Sequence, residues 1–213
     1  MTDQNQMTES TRIDELVSVA LRLFLDRGYD NTPMSLVAKE LGLTKAGVYH
    51  HLESKEHLLY TVHKHMLERM LIPILDKVEG EVDPLARLES FIAQFAALLT
   101  RDPAPGVLIH ETRRLSPKHS KEIRKVWRRL LDLVRESILE LQRQGRCRAD
   151  LNPTFAAFAL IGMVSWISNW FDYAKPGSAN EVVRTIADIF MNGILEGQKP
   201  HLRQPADLAT ERM

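Results

Sequence analysis

Apolar residues recur along this chain at the three-and-four spacing of helices, and no alternating apolar and polar run long enough for a strand interrupts them. A first helix is predicted from Ser10 or Thr11 to Arg27. Ile13, Leu16, Val17, Ala20, Leu21 and Phe24 share one face, and Gly28 is the stop. Two short helices follow, one from Ser35 to Leu41 closed by Gly42 and one from Thr44 to Leu52. Lys55 opens a longer helix reaching Glu79, with a kink expected at Pro73, which removes a backbone bond. Further helices are predicted over Leu85–Thr100, Gly106–Leu115, 117–144, 152–173 and 178–195, separated by proline- and glycine-bearing breaks. The fold class is all-α with about nine helices. An N-terminal three-helix domain occupies 1–55, a C-terminal helical domain 56–199, and a flexible tail 200–213.

Two short helices joined by a tight turn containing glycine form a helix-turn-helix, which lays its second helix in the DNA major groove. Gly42 permits the left-handed backbone of such a turn. Thr44 is placed to cap the second helix, whose N-terminal amides and Lys45 favour a phosphate. Ala46 and Gly47 are small enough for close approach to base edges, and Val48 and Leu52 anchor the helix inward. Tyr49 and His50 project outward toward phosphate or bases. Thr32 is positioned to donate to phosphate, Ser35 to cap the first short helix, and Lys55 to meet the DNA backbone.

On these residues, 11–59 resemble the DNA-binding domain of TetR-family repressors. The match in order and spacing comprises Ala20, Leu21, Phe24, Gly28, Tyr29, Thr32, Ala38, Leu41, Gly42, Lys45, Gly47, Tyr49, His50, Lys55 and Leu58-Leu59. In the C-terminal half, Gly162-Met163-Val164-Ser165-Trp166 through Trp170 to Pro176-Gly177 is similar to the penultimate helix of TetR members that respond to acyl-CoA thioesters. The resemblance implies a ligand-responsive repressor, released from operator DNA by a small hydrophobic effector. A single reading helix spans few base pairs, so a homodimer on a palindromic double-stranded operator is expected. The last two helices would pair through Phe158, Ile161, Ser165, Ile189, Phe190, Gly193 and Ile194.

Charge changes this picture in one respect. Lysines plus arginines and acids number 28 each, so the net charge is zero. Residues 1–60 carry six Lys/Arg and nine Asp/Glu, a net −3, where a DNA-reading domain is usually basic. The basic excess lies at 112–148, with twelve Lys/Arg against four Asp/Glu. It reads either as a solvated face or as an anion site, such as one for the phosphates of a CoA thioester. Phe91, Phe95, Trp127, Trp166 and Trp170 are candidates to line an apolar ligand cavity or to serve as core. His110, Arg114 and Asn169 are candidate polar contacts for such a ligand.

The remaining observations exclude alternatives. His57, His63 and His65 lack metal-ligand spacing and read as surface residues. No nucleophile elbow, phosphate loop or metal-hydrolase helix occurs, which disfavours a helical enzyme retaining a helix-turn-helix; no cofactor is expected. Neutral charge disfavours a nucleoid-type binder. The stretch 151–171 has no charged residue and approaches bilayer length, but Asn152, Pro153, Thr154, Ser165, Ser168 and Asn169 point to a protein interior rather than lipid. A single cysteine and an N-terminus without a basic-then-apolar leader lead to the expectation of a cytoplasmic protein.

Overall fold

Helix α1 (Thr2–Arg27) starts ahead of the expected Ser10 cap. The residues before Ser10 lack an apolar stripe, but Gln, Glu and Met extend a helix at little cost. The computed structural model describes residues 2–195, except the side chains of 2–11, 45, 50, 51, 107, 109, 110 and 176. The expected tail over 200–213 lies outside the described residues. Leu16, Val17, Ala20, Leu23 and Phe24 are the buried face of α1. Against it sits α2 (Met34–Glu40), which packs in turn on α3 (Lys45–His51). Gly42 joins them at φ +66°, and the turn closes by Leu43 N–H to Ala38 O at 2.9 Å and Gly42 N–H to Lys39 O at 3.1 Å. An L-residue with a Cβ would be strained there.

The long helix from Lys55 is one rod in three parts: α4 (Lys55–Met66), a π-turn Leu67–Leu71, and α5 (Ile72–Glu79). The kink expected at Pro73 is realised as this π-turn, which widens the helix just before the proline. The ring and missing N–H of Pro73 are thereby accommodated without ending the rod. Asp83 caps α6 (Pro84–Arg101), whose Leu88, Phe91, Ile92, Phe95 and Leu99 are buried at the centre of the C-terminal domain. The helix packs against α5, α8 (Pro117–Arg143), α9 (Pro153–Ser165) and α11 (Ala179–Ile194).

Two boundaries differ from the sequence pattern. Helix α7 (Ala104–Glu111) begins before Gly106, because the Asp102 carboxylate accepts the Ala104 N–H at 2.8 Å, and it ends in a 3-10 turn, Thr112–Arg114. The helix expected over 152–173 breaks at Trp166 and resumes briefly as α10 (Ile167–Trp170). The chain turns there to bury Phe171 and to let the Tyr173 hydroxyl donate to Leu99 O at 2.8 Å, so packing on α6 overrides helix continuity. If α4 with α5 and α9 with α10 are each counted as one rod, the described residues hold the nine helices expected.

The face of α11 is also rotated from expectation. Phe190 and Ile194 are core residues, while Ile189 and Gly193 face outward. No helix among the described residues is long and apolar enough to cross a membrane.

Candidate nucleic-acid interface and effector cavity

The reading head is built by caps. Thr44 Oγ1 accepts the Gly47 N–H at 3.1 Å, and a Cβ on Gly47 would lie 3.3 Å from that oxygen, so Gly47 keeps the cap uncrowded. Val48 and Leu52 are buried as anchors, whereas Ala46 and Tyr49 are exposed on the outer side of α3. The side chains of Lys45 and His50 lie outside the described residues.

Three residues expected at DNA are placed differently. Thr32 is fully buried; its hydroxyl faces Leu23 O at 3.2 Å and Gly28 O at 2.9 Å, closing the C-terminus of α1 instead of meeting phosphate. Ser35 is exposed but caps nothing, since Pro33 holds the cap position of α2 without a side-chain bond. Lys55 is drawn inward: its ammonium donates to Asp30 O at 3.1 Å and sits 4.3 Å from the Tyr29 ring centre. Burial lowers its pKa, partly offset by Asp30.

Lys55 belongs to a clamp between the two domains. The Arg114 guanidinium makes two bonds to Asp30, at 2.8 and 2.7 Å, pairs with Glu111, and lies 5.3 Å from the same Tyr29 ring. Glu56, in the first turn of α4, accepts the Ser116 N–H at 2.7 Å and faces His119 Nδ1 at 3.0 Å. Burial raises the Glu56 pKa, but these hydrogen bonds outweigh it and the net shift is downward. Tyr60 stacks on His119 at 4.0 Å and hydrogen-bonds Glu122. Burial first and Glu122 second push the Tyr60 hydroxyl up to about 12. The acid excess of the head and the basic excess of 112–148 thus partly meet at one joint.

Behind the joint lies an apolar cavity of about 40 Å³, walled by His63, Met66, Met70, Phe95, Leu108 and Trp127 among others. Such a volume admits about one water-sized molecule. Of the expected ligand residues, Phe95 and Trp127 reach it. Phe91 packs behind Phe95, ring centres 5.4 Å apart. Arg114 is in the clamp, and Trp166, Asn169 and Trp170 are exposed away from the cavity wall. The His110 side chain lies outside the described residues.

Sequence reasoning missed His63, which is 4% exposed rather than a surface residue. The signal was its position in the apolar register of Leu59, Val62 and Met66. Among the described residues no cluster of potential metal ligands occurs.

The basic segment divides in function. Arg114, Arg129, Arg135, Arg146 and Arg148 pair with carboxylates, whereas Lys121, Arg124, Lys125 and Arg128 are exposed and form no ion pair among the described residues.

A capped, outward-facing reading helix tied to a domain with an internal cavity defines a helix-turn-helix regulator, and no catalytic constellation accompanies it among the described residues. Residues 16–62 match the family model for bacterial regulatory proteins of the tetR family, and residues 81–194 match the tetracyclin repressor-like C-terminal domain. The chain belongs to the TetR family of DNA-binding transcriptional regulators, and it is not an enzyme. It is 28% identical over 199 residues to the transcriptional repressor KstR2 of Mycolicibacterium smegmatis, covering 89% of this chain and 93% of that one. Among solved structures it is similar to AibR, determined with isovaleryl coenzyme A and operator DNA. That match has a TM-score of 0.77 and 27% identity, over 84% of this chain and 97% of the other. PfmR of Thermus thermophilus matches with a TM-score of 0.75 and 27% identity, over 83% and 97%.

Proposed function

We propose that this regulator is a cytoplasmic repressor that binds a palindromic operator as a homodimer and is released by a hydrophobic effector. The observation that carries the reading is the segment 105–119. At one end Pro105 and Leu108 wall the cavity; at the other Arg114 holds Asp30 of the reading domain, and Ser116 and His119 hold Glu56 in the first turn of α4, directly after it. A ligand that enlarges the cavity displaces α7 and, through the clamp, the orientation of α3. The effector must favour the displaced state by several kcal/mol to switch it cleanly.

The dimer reading is supported by an apolar stripe along α9 and onto Trp166, the residue that ends it. Phe155 is 71% exposed, Phe158 55% and Trp166 61%, and Ile189 on α11 is 58% exposed. A Cβ at Gly162 or Gly193 would meet nothing within 4 Å, so a partner helix can approach closely. An exposed apolar patch of this kind is costly in water and characteristic of an interface. Thr44, Ala46, Gly47 and Tyr49, with Lys45 and His50, are the residues of this reading that meet DNA.

An acyl-CoA thioester is the effector class favoured. The apolar lining of the cavity suits an acyl chain once the ligand has widened it, the exposed cations of α8 suit phosphates, and AibR, a relative in structure, was solved with such a molecule. The test is fluorescence anisotropy on DNA upstream of the regulator's own gene, with an acyl-CoA panel. Release by one chain-length class supports the reading; retention of DNA with every thioester refutes the effector class. Arg114→Ala should leave DNA binding intact but reduce the effector-induced change in affinity.

A further inference from the structure

His63 is the only titratable side chain among the described residues that line the cavity. Its Nδ1 lies 2.9 Å from Leu59 O on its own helix, and its Nε2 lies 2.7 Å from Leu108 O on α7. A neutral imidazole has one N–H and one lone pair, so the two carbonyls compete for a single proton. Burial opposes the imidazolium that would serve both. Both separations are within hydrogen-bond range, and the Nε2–H tautomer is the one that ties α4 to α7 through Leu108 O.

The bond between α4 and α7 is exchangeable. The Thr112 hydroxyl donates to the same Leu108 O at 3.2 Å, so that carbonyl keeps a partner when His63 lets go. The His63 N–H is then left with only the Thr112 hydroxyl oxygen, 3.4 Å from Nε2 at the long limit of a hydrogen bond, on the wall of the cavity. The neighbouring Met66 and Met70 are flexible and the π-turn Leu67–Leu71 is adjustable, so the wall can move.

We infer that His63 is the specificity contact for the effector: as α7 is displaced, His63 Nε2–H passes from the Leu108 carbonyl to a carbonyl-type acceptor on the ligand. The site then selects an apolar chain bearing one such acceptor, and discriminates against the same chain without it. Breaking the α4–α7 bond and binding the ligand become one event. The inference rests on the reading of this cavity as the effector site.

The test uses the full chain with nitrogen-15 histidine, whose ring tautomer is read by long-range nitrogen–proton correlation. The probes are octanoyl-CoA, its thioether analogue S-octyl-CoA, and 2-nonanone, which has the carbonyl without coenzyme A. The Nε2–H tautomer is expected before addition, with the Nε2 resonance shifting on addition of either carbonyl probe. Octanoyl-CoA should bind about tenfold tighter than the thioether, the effect of one buried donor left unmet. His63→Phe should abolish that preference, and His63→Gln should restore part of it. Equal binding of thioester and thioether, or a preference that survives His63→Phe, overturns the inference. A shift with 2-nonanone but none with octanoyl-CoA refutes the CoA reading and supports His63. Binding of octanoyl-CoA without a change at His63 does the reverse, and silence with all three probes refutes both. The tautomer measurement on the unaltered chain decides the matter even if neither variant folds.

Discussion

Helices α7 and α10 meet at Gly106, and this contact allows a prediction with a worked magnitude. A Cβ placed on Gly106 would lie 2.2 Å from Ser168 Cβ and 2.5 Å from its Oγ, where ordinary contact requires 3.4–4 Å. Gly106→Ala therefore forces α7 and α10 apart by about an ångström, an overpacking that costs about 1–3 kcal/mol. For a chain of this size the melting temperature should fall by about 5 °C. Ser168→Gly removes both clashing atoms and leaves Ser168 Cα at 3.6 Å, an ordinary contact. The double variant should thus be close in stability to Ser168→Gly alone, giving a positive coupling in a double-mutant cycle. Urea denaturation followed by circular dichroism measures all four proteins. The reasoning is refuted if Gly106→Ala unfolds within about 0.5 kcal/mol of the parent, or if Ser168→Gly gives no rescue.

The Thr32 hydroxyl closes α1, so Thr32→Val should cost about 1–2 kcal/mol in urea denaturation, while Thr32→Ser should recover most of it. The folded-state pKa of His63 is lowered, mainly by burial, from its ordinary value of 6.5. The unfolded chain then binds a proton that the folded chain declines, so this contribution to stability is complete above that value and is lost as pH falls through the folded-state pKa. The slope of stability against pH on the acid side should flatten in His63→Phe; an unchanged slope would contradict the assignment. Phe158→Glu places a charge in the exposed stripe of α9, and sedimentation at micromolar concentration should show the proposed dimer converted to monomer.

Helices that carry their own punctuation are legible in the amino-acid sequence. Gly28, Gly42 and Gly145 adopt the positive φ that a helix stop demands, and Thr44, Asp83, Ser116 and Asn152 are caps in place. The break at Trp166 is not legible, because no proline or glycine marks it; it follows from burial of Phe171 against distant residues. The anchors Val48 and Leu52 are readable from the short amphipathic period. The role of Thr32 is not, since a threonine after a turn looks alike whether its hydroxyl meets phosphate or the carbonyls of Leu23 and Gly28.

Local chemistry was therefore enough to determine an all-helical chain, a helix-turn-helix at residues 34–51 and the family to which it belongs. Periodicity and capping act over a few residues and are written directly in the chain. Tertiary structure alone decided which aromatics meet a cavity, that Arg114 and Lys55 grip Tyr29 and Asp30, and that His63 joins α4 to α7. These contacts join residues as far as 84 positions apart, and their partners are chosen by helix packing, which no local pattern records.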